Sequence, residues 1–175
     1  KIRKPIHLSG GNEEPLIKIF KYISRKDYVF STWRNHYHAL LHGISQKELK
    51  KQILTTGSMS THSTSPFFLT SSIVGGMIPI ALGTALGIKR QKKKSRVWCF
   101  IGDMAVHLGV FSEAIQYSQN LNLPICFVIE DNGFSVNTPT EKSWGSNKIK
   151  IPSNCIYYKY NLSYPHHGIG KYVNF

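Results

Sequence analysis

Acidic and amide side chains follow two apolar segments of the chain at a spacing that suits a bound cation. Asp103 comes after the apolar residues 97–101, and Asn132 comes after the apolar residues 125–129. Two short apolar runs separated by a helical pattern predict two parallel strands joined by a helix. Because the carboxyl ends of parallel strands share one edge of a sheet, Asp103 and Asn132 should meet there. A carboxylate and an amide oxygen beside a helix N-terminus suit a divalent cation that carries a diphosphate.

Four short motifs around these positions occur in an order known from one protein family. The stretch 102–105, followed by 132–134, resembles the Gly-Asp-Gly … Asn-Asn signature for Mg²⁺ and thiamine diphosphate. Residues 7–13, 32–36 and 73–79 resemble three further motifs of that family. The chain is similar, over about residues 7–145, to the alpha subunit of the decarboxylating first component of 2-oxo acid dehydrogenase complexes (pyruvate, branched-chain or acetoin type). It looks like a shortened member, because those subunits are usually about twice as long.

This resemblance implies an octahedral Mg²⁺ site built from three protein ligands. Asp103 and Asn132 would supply side-chain oxygens, and Phe134 would supply its main-chain carbonyl. The diphosphate and water would complete the six oxygens that Mg²⁺ requires.

The resemblance also implies contacts with thiamine diphosphate itself. Arg34 would bind the diphosphate through its guanidinium, and the N–H groups of Met104 and Ala105 would face it. The other implied contacts are an aromatic wall from Trp33, backbone support for the aminopyrimidine ring from Val74, and an additional phosphate contact from His107.

Two histidines are candidates for proton transfer in the active site. His36 belongs to the Trp-Arg-x-His motif, and His38 follows it closely. For His38 we prefer the alternative of a structural, packing role, because eight histidines make chance placement easy.

Two residues depart from the family pattern at the predicted cofactor site. Met104 stands where the family has glycine, so a turn with positive φ would be strained there. Asp131 stands where the family has the first asparagine of its pair, which adds negative charge near the metal.

The family resemblance predicts a hetero-oligomeric enzyme. A member decarboxylates a 2-oxo acid and passes the acyl or aldehyde unit to an acceptor, with the cofactor as electron sink. In two-chain members a beta subunit supplies the glutamate that activates the cofactor. Neither Glu13, in the opening motif, nor Glu130, beside the metal end, is a convincing substitute. We therefore expect half an active site that needs a beta-type partner, in an α2β2 assembly or around a homodimer core.

Two other functions fit the same motifs. The chain could be the amino-terminal half of a split transketolase, acting on ketose phosphates. It could also be a non-catalytic relative that serves as an assembly subunit, for which Met104 is the best support.

Composition and charge argue against two further classes. The formal charge is +13, yet the basic residues are scattered outside residues 89–94 and no nucleic-acid-binding motif accompanies them, so we expect no nucleic-acid partner. Residues 63–88 carry no charge, but Pro66, Pro79 and several glycines argue against a membrane span. Three cysteines without CxxC spacing predict a reducing compartment, hence a cytoplasmic location.

The hydrophobic periodicity predicts an α/β fold with a mainly parallel sheet flanked by helices, as in thiamine diphosphate-binding domains, in a single domain over residues 1–175. Asn12 and Ser45 are predicted helix caps. The predicted elements are helices from residue 12 and over 35–42, 46–54, 78–89 and 110–121, strands over 27–31, 97–101, 125–129 and 155–158, and loops over 55–65 and 132–153.

Overall fold

A computed structural model describes residues 5–145 and 151–166. The described strands are β1 (Tyr28–Ser31), β2 (His62–Thr64), β3 (Phe67–Thr70), β4 (Val97–Gly102), β5 (Ile125–Asp131), β6 (Phe134–Ser135), β7 (Thr138–Pro139) and β8 (Cys155–Lys159). Six of them form one sheet in the order β2-β3-β1-β4-β5-β8, and β6 pairs with β7 separately. All neighbouring strands of the larger sheet are parallel except β2, which runs antiparallel to β3 at one edge.

Helices cover both faces of the sheet, which confirms the predicted α/β architecture. They are α1 (Glu13–Phe20), α2 (His36–His42), α3 (Gln46–Thr55), α4 (Met77–Arg90), α5 (Gly109–Asn120) and the short α6 (Thr140–Trp144), with 3-10 helices at Ser58–Ser60 and Asp103–His107. Within the described part of the chain, no helix has the length and apolar character needed to cross a membrane.

Side chains of the two central strands alternate between two hydrophobic cores. Cys99 and Phe127 are register partners and pack with α4 and α5. Phe100 and Val128, one position later, pack with α1, α2 and α3 on the other face. This period of two explains why both strands read as continuous apolar runs, since both faces are buried. Cys99 and Cys126 are free and buried, as predicted.

Two predicted loops are wrong in part. Residues 55–65 contain a 3-10 helix and the edge strand β2, and β3 was not predicted at all. The stretch 132–153 contains a hairpin of β6 (Phe134–Ser135) and β7 (Thr138–Pro139) and then α6, while residues 146–150 lie outside the described residues. These elements have only two to five residues each, too few for a hydrophobic period to appear in the sequence.

One predicted helix cap is confirmed and the other is wrong. The Ser45 hydroxyl accepts the backbone N–H of Glu48 and caps α3. The Asn12 side chain makes no capping hydrogen bond at α1. Instead Asn12 is almost fully buried and donates to Glu130 on β5.

Candidate functional site

A cleft lies at the carboxyl edge of the central strands. The ladder between β4 and β5 ends at the pair Gly102 and Glu130, so the residues that follow emerge side by side. The cleft encloses about 820 Å³, including the open solvent at its mouth. Of the predicted metal and cofactor residues, those that line it are Trp33, Arg34, Val74, Asp103, Met104, Ala105, Asn132 and Phe134.

The carboxylate of Asp103 is the buried acidic group of the cleft. Its side chain is 2% exposed and accepts the hydroxyl of Thr140. Burial raises the pKa of Asp103, and the nearby charge of Asp131 raises it further, against the hydrogen bonds that lower it. In the part of the chain that the structure describes, no ion pair involves this carboxylate. A cation in the cleft would therefore stabilise its charged form.

Asn132 and its neighbours form a tight loop after β5. The Asn132 amide oxygen accepts the N–H of Phe134 at 2.9 Å, and Asp131 Oδ1 accepts the N–H of Gly133 at 2.8 Å. An amide oxygen has two lone pairs, so the Asn132 oxygen keeps one for another partner. The side-chain nitrogen of Asn132 donates to the hydroxyl of Tyr160 at 3.4 Å, which fixes the orientation of the amide.

The backbone of Met104 is unstrained, contrary to the expectation for a glycine position. Met104 is absent from the residues with positive φ, so the turn does not need glycine here. Its sulfur lies 2.6 Å from the indole nitrogen of Trp144, and that indole stacks on His107 with ring centroids 4.9 Å apart. His107 is held by Trp144 and is not among the cleft-lining residues, so the structure does not bring it to the predicted phosphate position.

Arg34 is held at the cleft by main-chain oxygens. Its Nη1 donates to the carbonyl of Leu8 and its Nη2 donates to the carbonyl of His166, each at 2.9 Å. Burial lowers the pKa of Arg34, while Tyr160 and Glu130 oppose that shift. Arg34 Nη2 also lies 3.3 Å from His166 Nδ1. Guanidinium has five N–H donors, so these three contacts still leave donors for an anion in the cleft.

A polar cluster centred on Glu130 was not predicted from the sequence. Glu130 is buried, and its Oε1 accepts from His38 Nε2 at 3.1 Å, from Asn12 Nδ2 at 3.4 Å and from the hydroxyl of Tyr158. The alternation along β5 could have revealed it. Glu130 shares a face with Cys126 and Val128, which pack against α1 to α3, and therefore faces the helices that carry Asn12 and His38.

Neither predicted proton-transfer histidine lines the cleft. His38 is fully buried against Phe20 and Phe100 and bonded to Glu130. His36 is also buried, and burial lowers its pKa. These surroundings favour the packing role that we preferred for His38 and extend it to His36.

The residues that the structure describes assemble no group of three or more His, Cys, Asp or Glu side chains that could hold a metal. A cation in the cleft would therefore depend on the Asp103 carboxylate together with amide, main-chain, ligand and water oxygens. That mixture suits Mg²⁺, which usually keeps several waters and binds one or two carboxylates plus phosphate oxygens.

Comparisons with known proteins point to the family that the motifs resemble. The family model of the dehydrogenase E1 component matches residues 1–153. The alpha subunit of acetoin:2,6-dichlorophenolindophenol oxidoreductase from Bacillus subtilis is 31% identical over 146 residues, covering 78% of this chain and 44% of that protein. The pyruvate dehydrogenase E1 component subunit alpha of Porphyra purpurea is 31% identical over 155 residues, covering 79% of this chain and 45% of that protein. The chain thus spans less than half the length of these relatives.

Proposed function

Because the chain belongs to the dehydrogenase E1 component family, we propose that its cleft binds thiamine diphosphate with Mg²⁺ and forms the diphosphate half of an active site that decarboxylates a 2-oxo acid. One observation carries the proposal: Asp103, Asn132 and Arg34 line the same cleft at the carboxyl edge of the sheet. This edge is where parallel sheets bind ligands.

The donor set supports a magnesium diphosphate. Asp103 is a buried carboxylate whose pKa is raised by burial and by Asp131, and a divalent cation would offset both effects. Asn132 and the carbonyl of Phe134 would complete the protein ligands. Arg34 is anchored by two carbonyls and keeps guanidinium donors for phosphate oxygens.

When bound, thiamine diphosphate supplies the electron sink for the carbanion that decarboxylation leaves. The residues of this chain bind and orient it. Arg34 and the metal ligands would hold the diphosphate end, and Trp33 and Val74, which also line the cleft, would contact the aminopyrimidine ring.

The chain needs a second subunit to complete the site. Among the described lining residues the carboxylates belong to Asp103 and Glu130. Glu130 Oε1 accepts from three donors and is thereby committed to the cluster beneath the cleft. The activating glutamate therefore comes from a beta-type partner, in an α2β2 assembly or around a homodimer core. The names of the acetoin and pyruvate relatives as alpha subunits support this.

Exposed apolar residues at the rim of the cleft support the proposal of a beta-type partner. Ile73, Val74, Phe134 and Val136 all line the cleft and are exposed, Ile73 to 71%. An apolar rim around a polar floor is typical of a surface that another chain covers. The beta-type subunit would bury this rim and exclude water from the cofactor.

Calorimetry tests cofactor binding directly. Thiamine diphosphate is titrated into the full chain with Mg²⁺ and with excess EDTA. We expect heat of binding only with Mg²⁺, and a loss of more than about 10-fold in affinity in Asp103→Asn. Glu141→Gln is the matched control, because it removes one negative charge from an exposed position close by and should bind as wild type. Equal binding in EDTA would refute the metal, and no binding in wild type would refute the cofactor.

Activity with and without the partner separates the proposed role from the alternatives. A beta-type subunit is co-expressed with the chain, and release of carbon dioxide from pyruvate is measured. Turnover should require both chains. Turnover by this chain alone would overturn the half-site proposal, and transfer from xylulose 5-phosphate instead of pyruvate decarboxylation would favour the split transketolase. Metal-independent or absent cofactor binding would favour the assembly subunit.

We also propose a cytoplasmic location. Its support is that Cys99, Cys126 and Cys155 are free thiols. Fractionation of cells with an antibody against the chain tests it.

A further inference from the structure

Thr140 contacts both sides of the proposed cation site. Its hydroxyl donates to Oδ2 of Asp103, which follows β4. Its backbone N–H donates to the carbonyl of Gly133 at 2.9 Å, and Gly133 lies between Asn132 and Phe134 after β5. One residue of α6 therefore joins the two strand tips that carry the candidate metal ligands.

Among the described residues, no other backbone hydrogen bond connects these two strand ends beyond the β4–β5 ladder. The β4–β5 ladder ends at the pair of Gly102 and Glu130. Past that pair, no backbone hydrogen bond among the described residues links Asp103–His107 with the loop after β5. Thr140 is thus the residue whose own hydrogen bonds connect the Asp103 carboxylate with the Asn132 loop.

The hydrogen bonds of Asp103 also limit how it can bind a metal. A carboxylate offers about four acceptor positions. One of them, on Oδ2, is used by the hydroxyl of Thr140. This favours Oδ1 as the oxygen at the metal and leaves room for the waters that Mg²⁺ keeps.

On the basis of the proposed function, we propose that Thr140 is a positioning residue of the magnesium site: its hydroxyl orients the Asp103 carboxylate, and its backbone sets the separation from the Asn132 loop. It does not itself bind the metal. Removing the hydroxyl frees the carboxylate to rotate and exposes one more oxygen to competing partners, so the site loses its organisation before any metal binds.

Thr140 can be changed without releasing α6. At the other end of this helix, Trp144 lies against the sulfur of Met104 and stacks on His107. The backbone bond from Thr140 to Gly133 is independent of the side chain. We therefore expect Thr140→Val, which replaces the hydroxyl by a methyl group of similar size, to fold.

The test compares matched variants by calorimetry. The apparent Kd for Mg²⁺ is measured at fixed, saturating thiamine diphosphate in wild type, Thr140→Val, Thr140→Ser and Thr138→Val. Thr138 lies two positions away in the exposed part of the hairpin and controls for the substitution itself. We expect the Kd to rise about 10-fold or more in Thr140→Val, to return to near wild type in Thr140→Ser, and to stay unchanged in Thr138→Val.

Three outcomes decide between the inference and its premise. If wild type binds with Mg²⁺ and Thr140→Val binds equally well, the positioning role is wrong and the proposed function stands. If Thr140→Ser is as weak as Thr140→Val, the hydroxyl is not responsible and the inference falls. If wild type shows no metal-dependent binding, the proposed function itself falls. Thr140→Ala replaces Thr140→Val should the thermal unfolding of the latter reveal a misfolded protein.

Discussion

The hydrogen bond between Tyr158 and Glu130 allows the contribution of the Glu130 cluster to the free energy of unfolding to be measured. Tyr158→Phe removes only the hydroxyl that donates to Glu130 Oε1 and keeps the ring in place. Burial, then the charge of Glu130, raises the pKa of Tyr158 far above its usual value, so the hydroxyl stays protonated and remains a donor at neutral pH. The bond is therefore a hydrogen bond to a buried carboxylate, the stronger class of such bonds.

The expected loss of stability follows from the strength of a hydrogen bond to a charged group. A hydrogen bond to a charged group contributes about 1.5–3 kcal/mol. For a domain of 150–250 residues each kcal/mol lowers the Tm by about 2–4 °C, so Tyr158→Phe should lower it by about 3–12 °C. The neighbouring Tyr157 gives a matched comparison, since its hydroxyl donates to the carboxylate of Asp131 on the other face of β8. Asp131 is buried but Tyr157 is 39% exposed, so water can partly replace the lost hydroxyl and Tyr157→Phe should cost less, about 0.5–1.5 kcal/mol.

Urea unfolding monitored by circular dichroism measures both variants at the same pH. The expected result is a lower midpoint for Tyr158→Phe with an unchanged slope, and a smaller decrease of the midpoint for Tyr157→Phe. Equal losses in the two variants would show that burial around Glu130 does not strengthen the bond. No loss in Tyr158→Phe would mean that His38 and Asn12 satisfy Glu130 without it, and the account of the cluster would be refuted.

Two more predictions concern the backbone and the pH dependence of stability. Gly75 has φ +74° and a Cβ built there meets the Leu108 side chain at 2.5 Å, so Gly75→Ala should lower the free energy of unfolding by at least about 1–2 kcal/mol. Gly83 lies inside α4 with open space around it, so Gly83→Ala should raise the free energy of unfolding by about 0.5–1 kcal/mol. Urea unfolding measures both variants, and changes of the same sign would contradict the prediction. Burial lowers the pKa of His42 below 6.5, so its contribution to stability is present above pH 6.5 and is lost as the pH falls through that value, with a slope of at most about 1.4 kcal/mol per pH unit. The urea midpoint should therefore fall between about pH 7.5 and pH 5.5, and His42→Gln should flatten that fall; an equally steep fall in the variant would refute the assignment to His42.

The sequence predicted the elements whose pattern is long and local. Strands β4 and β5 are continuous apolar runs, and α4 begins and ends within one residue of the predicted bounds. The edge strand and the short elements could not be predicted from the sequence, because they form through pairing with other parts of the fold. Strand β2 has three polar residues and exists through its antiparallel register with β3, for which three residues carry no recognisable signal.

The positions of the candidate site residues were predictable where a motif marks the end of a strand, and less so where partners are distant in the sequence. Asp103 and Asn132 line one cleft because β4 and β5 are adjacent and parallel, which the strand–helix–strand pattern already implies. The residues that follow Asn12 are typical of a helix start, so the sequence predicts a capping role for its side chain. The side chain instead donates to Glu130, which is 118 positions away, and no local pattern predicts that hydrogen bond.

The end of β5 explains how one short stretch contributes both to the core and to the site. Glu130 points to the face of α1 and α2 and is held by side chains from three parts of the chain. Asp131, on the opposite face, accepts the N–H of Gly133 and thereby shapes the loop that presents Asn132. Because successive side chains of a strand alternate in direction, these two neighbouring acids need not compete for partners. The buried cluster anchors the strand, and the loop beyond it presents Asn132 to the proposed cation site, so stability and the proposed metal binding can be tested separately at adjacent positions.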